Sequence, residues 1–397
     1  MKKLFIIGII ILVGLVSVPI IWNSTDELTT AGLVTISDIL PGRGTGVVFS
    51  SDNNYMFVSH ITTPFVTIYE REDDTFTKLA NLSDLPAGNG YDIDITDDDN
   101  YLAIGVYGTS PYLAIYKRSG DTFTKLADPN DIPVAGAFAV QFSHSGIYLA
   151  VGVESNTYGV IIYKRSGDTF TKLADPTLIN TYFQDITFSS DDTYMAVAAA
   201  DLKIYKRSGD IFTSISDNID TQPPGGCYGV AFTSDNNYLA VSASSSPFVN
   251  IYLRTNDTFT KLADPDVLPS GALSNEITFS NSDDYLVAVL SDTPFMIIYH
   301  HNAGSLTKLP NPSVLPGGWG YNVAFSPDDT YLAVTHDGVG TPKLIVYKQV
   351  NGSFVTADPG ILYNTTTGTL VDLLPTLFVI GIVVGVAGYL IFKKKQE

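Results

Sequence analysis

The segment Tyr116–Pro129 reads YKRSGDTFTKLADP, and Tyr163–Pro176 repeats it letter for letter. A copy this faithful sets a period, and the period decides the architecture before any local reading. Its first tyrosine closes an apolar triplet (TIY, AIY, IIY, KIY, NIY, IIY, IVY) at Tyr69, Tyr116, Tyr163, Tyr205, Tyr252, Tyr299 and Tyr347. A second series keeps step with it at Tyr55, Tyr101, Tyr148, Tyr194, Tyr238, Tyr285 and Tyr331. The chain therefore holds seven units.

Each unit offers four short strand patterns separated by turn chemistry. In the last they are YNVAF, YLAVTH, KLIVY and SFVT, divided by SPDDT, GVGT and VNG. One four-stranded sheet cannot bury both of its faces, whereas seven set radially bury each face against a neighbour. The expectation is an all-β, seven-bladed propeller of four-stranded antiparallel blades over residues 44–359. The opening segment then ends a third strand, turns tightly at Ser119-Gly120 and forms the outer strand, where Lys117 and Arg118 suit an exposed sheet edge.

FSPDDTYLAV at Phe325, FTSDNNYLAV at Phe232 and FSSDDTYMAV at Phe188 resemble the FSPDGxYLAV motif of the WD40-like and YVTN (lactonase-like) seven-bladed propellers. The chain departs from true WD40 repeats in lacking the Gly-His and Trp-Asp dipeptides. The resemblance implies the fold. It does not carry an activity, because such propellers host many. Lactonase-like relatives use channel residues with a metal, and that set has no residue-by-residue match here.

Upstream, LVTISDILPGRG at Leu33–Gly44 echoes KLADPDVLPSG at Lys261–Gly271. It predicts a leading segment, 23–43, that carries an extra outer strand pairing with the last blade and fastening the ring; because SFVTADP at Ser353 already offers that blade an outer strand, either one of the two is displaced or a fifth strand forms.

The ends have another character. Leu4–Trp22 is 19 residues without a charge and Leu373–Phe392 is 20 more, beside Lys2-Lys3 and Lys393-Lys394-Lys395. Each is long enough for a hydrocarbon layer of about 30 Å, and basic flanks favour the cytoplasm. The expected order is an anchor or uncleaved signal at 1–22, a stalk at 360–372, a transmembrane helix at 373–392 and a basic cytoplasmic tail at 393–397. A cleaved signal peptide is the alternative for the first segment. Gly381 and Gly385 have the spacing that lets two such helices pack, a route to a homo-oligomer. With both termini inside, the propeller lies outside the membrane, on a cell or virion surface.

Removing the flanks leaves 17 basic against 40 acidic residues in 23–372, a net of −23. Such a surface repels phosphate backbones and excludes nucleic acid as a partner. The single cysteine, Cys227, permits no internal disulfide, so core burial must hold the domain. Gly225-x-Cys227-x-Gly229 lacks the helix that a nucleophile elbow needs. No catalytic residue is assigned. Asn23, Asn81, Asn256, Asn351 and Asn364 begin N-glycosylation triplets.

Alignment of the seven inner strands exposes one variable position: Gly46, Asp92, Ala139, Asp185, Gly229, Glu276 and Asn322, each followed by Val or Ile. Asp92, Asp185, Glu276 and Asn322, with Asp94 deeper, are expected to face the mouth of the central channel. Asp92, Asp185 and Glu276 are candidate ligands for Ca2+ or another hard cation. The loops between second and third strands share that face and present Phe65, Tyr112, Tyr158, Phe248 and Phe295 as candidate recognition residues. His60 and His336 end equivalent strands of ring neighbours and are candidates for a shared site.

These readings favour a membrane-anchored module that binds or adheres to a surface protein or glycan. Two alternatives stand: a structural component of a surface layer or viral envelope, and a metal-dependent, lactonase-like hydrolase.

Overall fold

The structure, a computed structural model, describes residues 34–37, 39–154, 159–176, 183–269, 274–339 and 342–356. Both apolar end segments, Asn23, Asn364 and Tyr158 lie outside them. Among the described residues no helix is long and apolar enough to cross a membrane.

Seven antiparallel sheets follow one another along the chain, six with four strands and the first with five. The inner strands are Gly44–Phe49, Asn89–Ile95, Ala137–Phe142, Asp185–Phe188, Cys227–Phe232, Ser274–Phe279 and Gly320–Phe325. The outer strands are Thr75–Lys78, Thr122–Lys125, Thr169–Lys172, Ile211–Ser214, Thr258–Lys261, Ser305–Lys308 and Ser353–Val355. Blades are numbered one to seven in this order.

Because side chains alternate across a strand, each blade sends one apolar set to each neighbour. Tyr55, Phe57, Val66 and Ile68 of blade one meet Ile93, Ile95, Leu102 and Ile104 of blade two, while Met56 and Val58 meet Ala333, Leu344 and Val346 of blade seven. Inner strands of adjacent blades pack side by side around the whole ring, including blade seven against blade one.

The third-strand tyrosines are the largest fully buried side chains. Each ring is fully buried, and in five blades its hydroxyl reaches the linker arriving from the previous blade. Tyr116, Tyr163, Tyr252, Tyr299 and Tyr347 donate to the backbone oxygens of Asp84, Asp131, Thr221, Val267 and Val314 at 2.6–3.0 Å.

The opening segment proves to be a clasp between blades. Asp168 accepts Tyr101 Oη at 2.5 Å and Lys117 Nζ at 2.8 Å from blade two. Asp210 accepts Tyr148 and Lys164, Asp257 accepts Tyr194 and Lys206, and Asp74 accepts Tyr331 and Lys348 across the closing seam. The arginine faces the other way: Arg118, Arg165, Arg207 and Arg254 lie 4.2–5.2 Å from the ring centroids of Tyr55, Tyr101, Tyr148 and Tyr194 in the preceding blade. The basic pair therefore joins blades as well as occupying an edge. In blades six and seven the aspartate is replaced by Gly304 and Gly352, at φ +83 and +79. The lysine that would have met it is replaced in step, by Leu253 and His300.

The leading segment corrects one expectation. Thr35–Ile36 adds as a fifth strand to blade one, parallel to Thr75–Lys78, and not to blade seven. The sequence echo has a different cause. The echoed stretch is a linker, and linkers run alongside the outer strand of the blade they enter: Ile219 forms a parallel bridge to Phe259. Lys78 N donates to Ser37 Oγ just as Lys261 N donates to Asp220 and Lys308 N to Asp266. Val34 and Leu40 are buried between blades one and seven, so the segment seals the closing seam by packing.

On the face away from the linkers, turns are joined in the same circular order. Asp99, Asp192, Asn236, Asp283 and Asp329 accept backbone N–H groups of Ser51, His144, Ser190, Ser234 and Asn281, each in the preceding blade. All five acceptors have positive φ, which short polar residues tolerate.

Candidate functional site

The linkers, the inner-strand starts and the loops between second and third strands share one face. At every inner-strand start except that of blade four, the register with the second strand shifts between the residues two before and just at or after the variable position. A bulge of this kind re-aims a side chain. The residues so placed are Thr45, Tyr91, Phe138, Tyr228, Asn275 and Tyr321. Their side chains lean onto the next blade's entry: Thr45 Oγ1 donates to Gly90 O at 2.7 Å, Asn275 Nδ2 donates to Gly320 O at 2.6 Å, and the Tyr91 and Phe138 rings lie 5.0 Å apart. The four aromatics are half-buried and form much of a collar around the channel mouth.

Tyr107, at the end of the second strand of blade two, completes a triad with Tyr91 and Phe138 at 5.0 and 5.2 Å. Glu154 stands by its hydroxyl and raises its pKa. Between blades seven and one, Arg43 covers Tyr321 at 4.5 Å and Nη1 donates to its hydroxyl. Nearby in the chain Trp319 is 52% and Val339 96% exposed, and Asp337 N donates to Trp319 O at 3.1 Å. Sequence alignment passed over this collar because the bulge removes it from strict alternation. The signal was present, since GYD, AFA, CYG and GYN place an aromatic between small or polar residues just before the aligned position.

The aligned position forms the next tier, and its acids act mainly on the ring itself. Asp92 Oδ2 accepts Val140 N at 2.8 Å, Asp185 Oδ2 accepts Val230 N at 2.9 Å and Asn322 Oδ1 accepts Val47 N at 3.2 Å. Each reaches over a small neighbour, Ala139, Gly229 or Gly46, to the inner strand of the next blade. Gly46 and Gly229 are small because each closely approaches the blade that follows: a Cβ on Gly46 would lie 2.9 Å from Asp92 Oδ1 and 3.1 Å from its Cα. A Cβ on Gly229 would lie 2.9 Å from Ile277 N and 3.0 Å from Glu276 Cα. Deeper, Asp94 accepts Phe142 N at 2.6 Å and Gln141 Nε2 at 2.9 Å.

Enclosure by protein dominates the acids' protonation. Burial pushes Asp92 and Asp185 up to about 7, partly offset by the N–H donors. Glu276 is raised well above the usual range by burial and by Asp185, to which it is hydrogen-bonded, and Asp94 is raised by burial and by Asp92.

Of the three acids expected to hold Ca2+, Asp92 lies within electrostatic reach of both Asp185 and Glu276. Asp185 and Glu276 come together while Asp92 turns to Val140, and among the described residues no three His, Cys, Asp or Glu side chains are grouped to hold a metal ion. His60 and His336 do not share a site. His60 follows Met56 and Val58 toward blade seven, whereas His336 follows Leu332 and Val334 toward blade six. Both are fully buried, with pKa values lowered to about 4 by burial. Cys227 is a core residue between blades four and five, and burial pushes its thiol up to about 12, opposite to a nucleophile's needs.

Phe65, Tyr112, Phe248 and Phe295 lie on the expected face but are half-buried against their own loops. The exposed tips are Thr62-Thr63, Thr109-Ser110, Ser245-Ser246 and Asp292-Thr293. Phe65, Phe248 and Phe295 have φ of 64–71°, and each follows a cis proline. Asn81, Asn256 and Asn351 are exposed, the last two at rim turns on the opposite face.

The architecture places the chain among seven-bladed propellers resembling those of lactonases and WD40 proteins. Among solved structures it is similar to the periplasmic gluconolactonase PpgL of Pseudomonas aeruginosa, with TM-score 0.62 and 14% identity over 76% of this chain and 94% of that one. The β-propeller domain of Cps50 (Swd1) from Myceliophteria thermophila gives 0.60 and 13%, covering 79% and 99%. A putative 6-phosphogluconolactonase from Bacteroides fragilis gives 0.59 and 13%, covering 76% and 92%. At these identities the likeness concerns the fold. No family model and no curated protein matches the chain.

Proposed function

We propose that the chain is a membrane-anchored binding module, its propeller held outside the membrane, which engages a surface macromolecule through the channel-mouth face. One observation carries this reading. Bulges at the inner-strand starts present a side chain that differs from blade to blade, aromatic at Tyr91, Phe138, Tyr228 and Tyr321, on a frame that is otherwise repeated. Aromatic residues held by a rigid scaffold lose little entropy on binding. The apolar end segments supply the anchoring half of the proposal.

The test is an array of surface proteins and glycans probed with the full-length chain, alongside Tyr91→Ala, Tyr321→Ala and the rim control Lys164→Ala. Binding weakened by the two mouth variants and retained by the control supports the reading. Absence of binding, or equal weakening by all three, overturns it in favour of a structural surface component.

A lactonase-like hydrolase is a second reading, favoured by the gluconolactonase among the similar structures and by carboxyls at Asp92 and Asp185 that titrate near neutrality. Turnover of gluconolactone that Asp185→Asn abolishes would select it.

A further inference from the structure

Two sectors of the collar are built from the same materials, and among the described residues only one carries a cation against its rings. Between blades seven and one the guanidinium of Arg43 lies 4.5 Å from the Tyr321 ring centroid and donates to its hydroxyl at 3.1 Å, while that hydroxyl donates to Asp337 at 3.4 Å. A cation of the chain's own is thus held by an aromatic face with a carboxylate behind it. Between blades two and three the faces are Tyr91, Tyr107 and Phe138, and the acid is Glu154 at the Tyr107 hydroxyl. The cation–ring contacts among the described residues fall on Tyr321 and on the rim tyrosines, none on these three rings.

We propose that the sector formed by Tyr91, Tyr107 and Phe138 docks a lysine or arginine side chain of a protein partner, which takes the place that Arg43 fills on the other side. The inference rests on the reading of the channel mouth as a binding surface and adds the chemistry of the guest. An aromatic face attracts a cation through its quadrupole, more strongly once water is excluded. The net charge of −23 over residues 23–372 draws basic partners toward the domain. Ring geometry disfavours a flat guest: interplanar angles of 43°, 84° and 43° make a corner, not a platform on which a sugar or base could stack. Arginine is the stronger guest, since its guanidinium is weakly hydrated and can stack on one ring while donating to a carboxylate.

The probes are three acetylated, amidated Gly-Ser-X-Ser-Gly peptides with X as arginine, lysine or the uncharged isostere citrulline, titrated into the full-length chain by calorimetry. Arginine and lysine peptides are expected to bind at least about tenfold more tightly than citrulline, and Tyr91→Leu and Phe138→Leu to remove about that factor. Lys164→Ala, at the rim, should change nothing. Equal binding of arginine and citrulline peptides, with both weakened by the collar variants, overturns the cationic guest but leaves the mouth as a binding surface. Binding that the collar variants do not alter, or no binding of any probe at millimolar concentration, overturns the docking proposal. The array result then decides the broader reading separately.

Discussion

Asp168 and Asp92 are carboxylates of adjacent blades in the same ring, and their surroundings push them in opposite directions. At the rim, donors from Lys117 and Tyr101 hold Asp168 below the usual carboxylate range. At the channel mouth, burial pushes Asp92 up to about 7 although Val140 and Ile93 supply N–H donors. Both acids join one blade to its neighbour. The rim acid does so as an ion in water, repeated around the ring, and the mouth acid does so within protein, where an ionised carboxylate is costly. The repeated rim and the varied mouth therefore both serve assembly, one through solvated ions and the other through enclosed hydrogen bonds.

The largest expected effect challenges the repeated half of that contrast. Tyr252→Ala removes a fully buried ring and a bond to Thr221 O, and should cost about 3–5 kcal/mol by urea unfolding. Tyr116→Ala should cost about as much if the blades are equivalent. Tyr252→Phe, which loses only the hydroxyl, should cost about 1 kcal/mol.

The mouth acid should show its opposite sign through pH. Its folded pKa exceeds its unfolded value, so the native state binds the extra proton, and the stability it contributes is lost as pH rises from about 4 to about 7. Asp92→Asn should therefore leave stability unchanged near pH 4 and raise it at pH 8, by roughly 2–4 kcal/mol. Destabilisation of the variant at pH 8 would show that Asp92 is a stabilising anion like those of the rim.

Gly229→Ala tests the close approach of the inner strands of blades five and six. The added methyl meets the backbone of blade six, and a loss of about 1–3 kcal/mol is expected. The smallest effect belongs to the clasp. Lys348–Asp74 closes the ring, but both groups are partly solvated, and a double-mutant cycle should give at most about 1 kcal/mol. Burial of Asp74 is outweighed by donors from Lys348 and Tyr331, so this contribution is present above the ordinary Asp pKa and disappears on further acidification.

The fold was legible because each blade repeats the same solution to the same burial problem. Tyrosines at a steady interval identified the seams, and alternation identified the strands. The closing segment was misplaced for a physical reason. LVTISDIL resembles a linker, and a linker's pairing is parallel, to a strand that comes later in the chain, which period-two patterning cannot reveal. The site was less legible. Asp92, Asp185 and Asn322 were found by comparing blades, yet their reach to Val140, Val230 and Val47 depends on how closely the inner strands approach. The collar at Tyr91, Phe138, Tyr228 and Tyr321 was missed because one bulged residue breaks the rule on which the alignment depended.

The linkers have a consequence for how such a chain changes length. Each belongs by sequence to the blade it leaves and by packing to the blade it enters, as Ile219 does beside Phe259. Thr35 and Ile36 stand to blade one as Ile219 stands to blade five. Duplicating one unit inserts a blade together with the seal for its successor, and excising one removes both. The boundary of the genetic copy and the boundary of the folded blade need never coincide for the ring to gain or lose a member, and a chain reopened at another linker would close on the same seams.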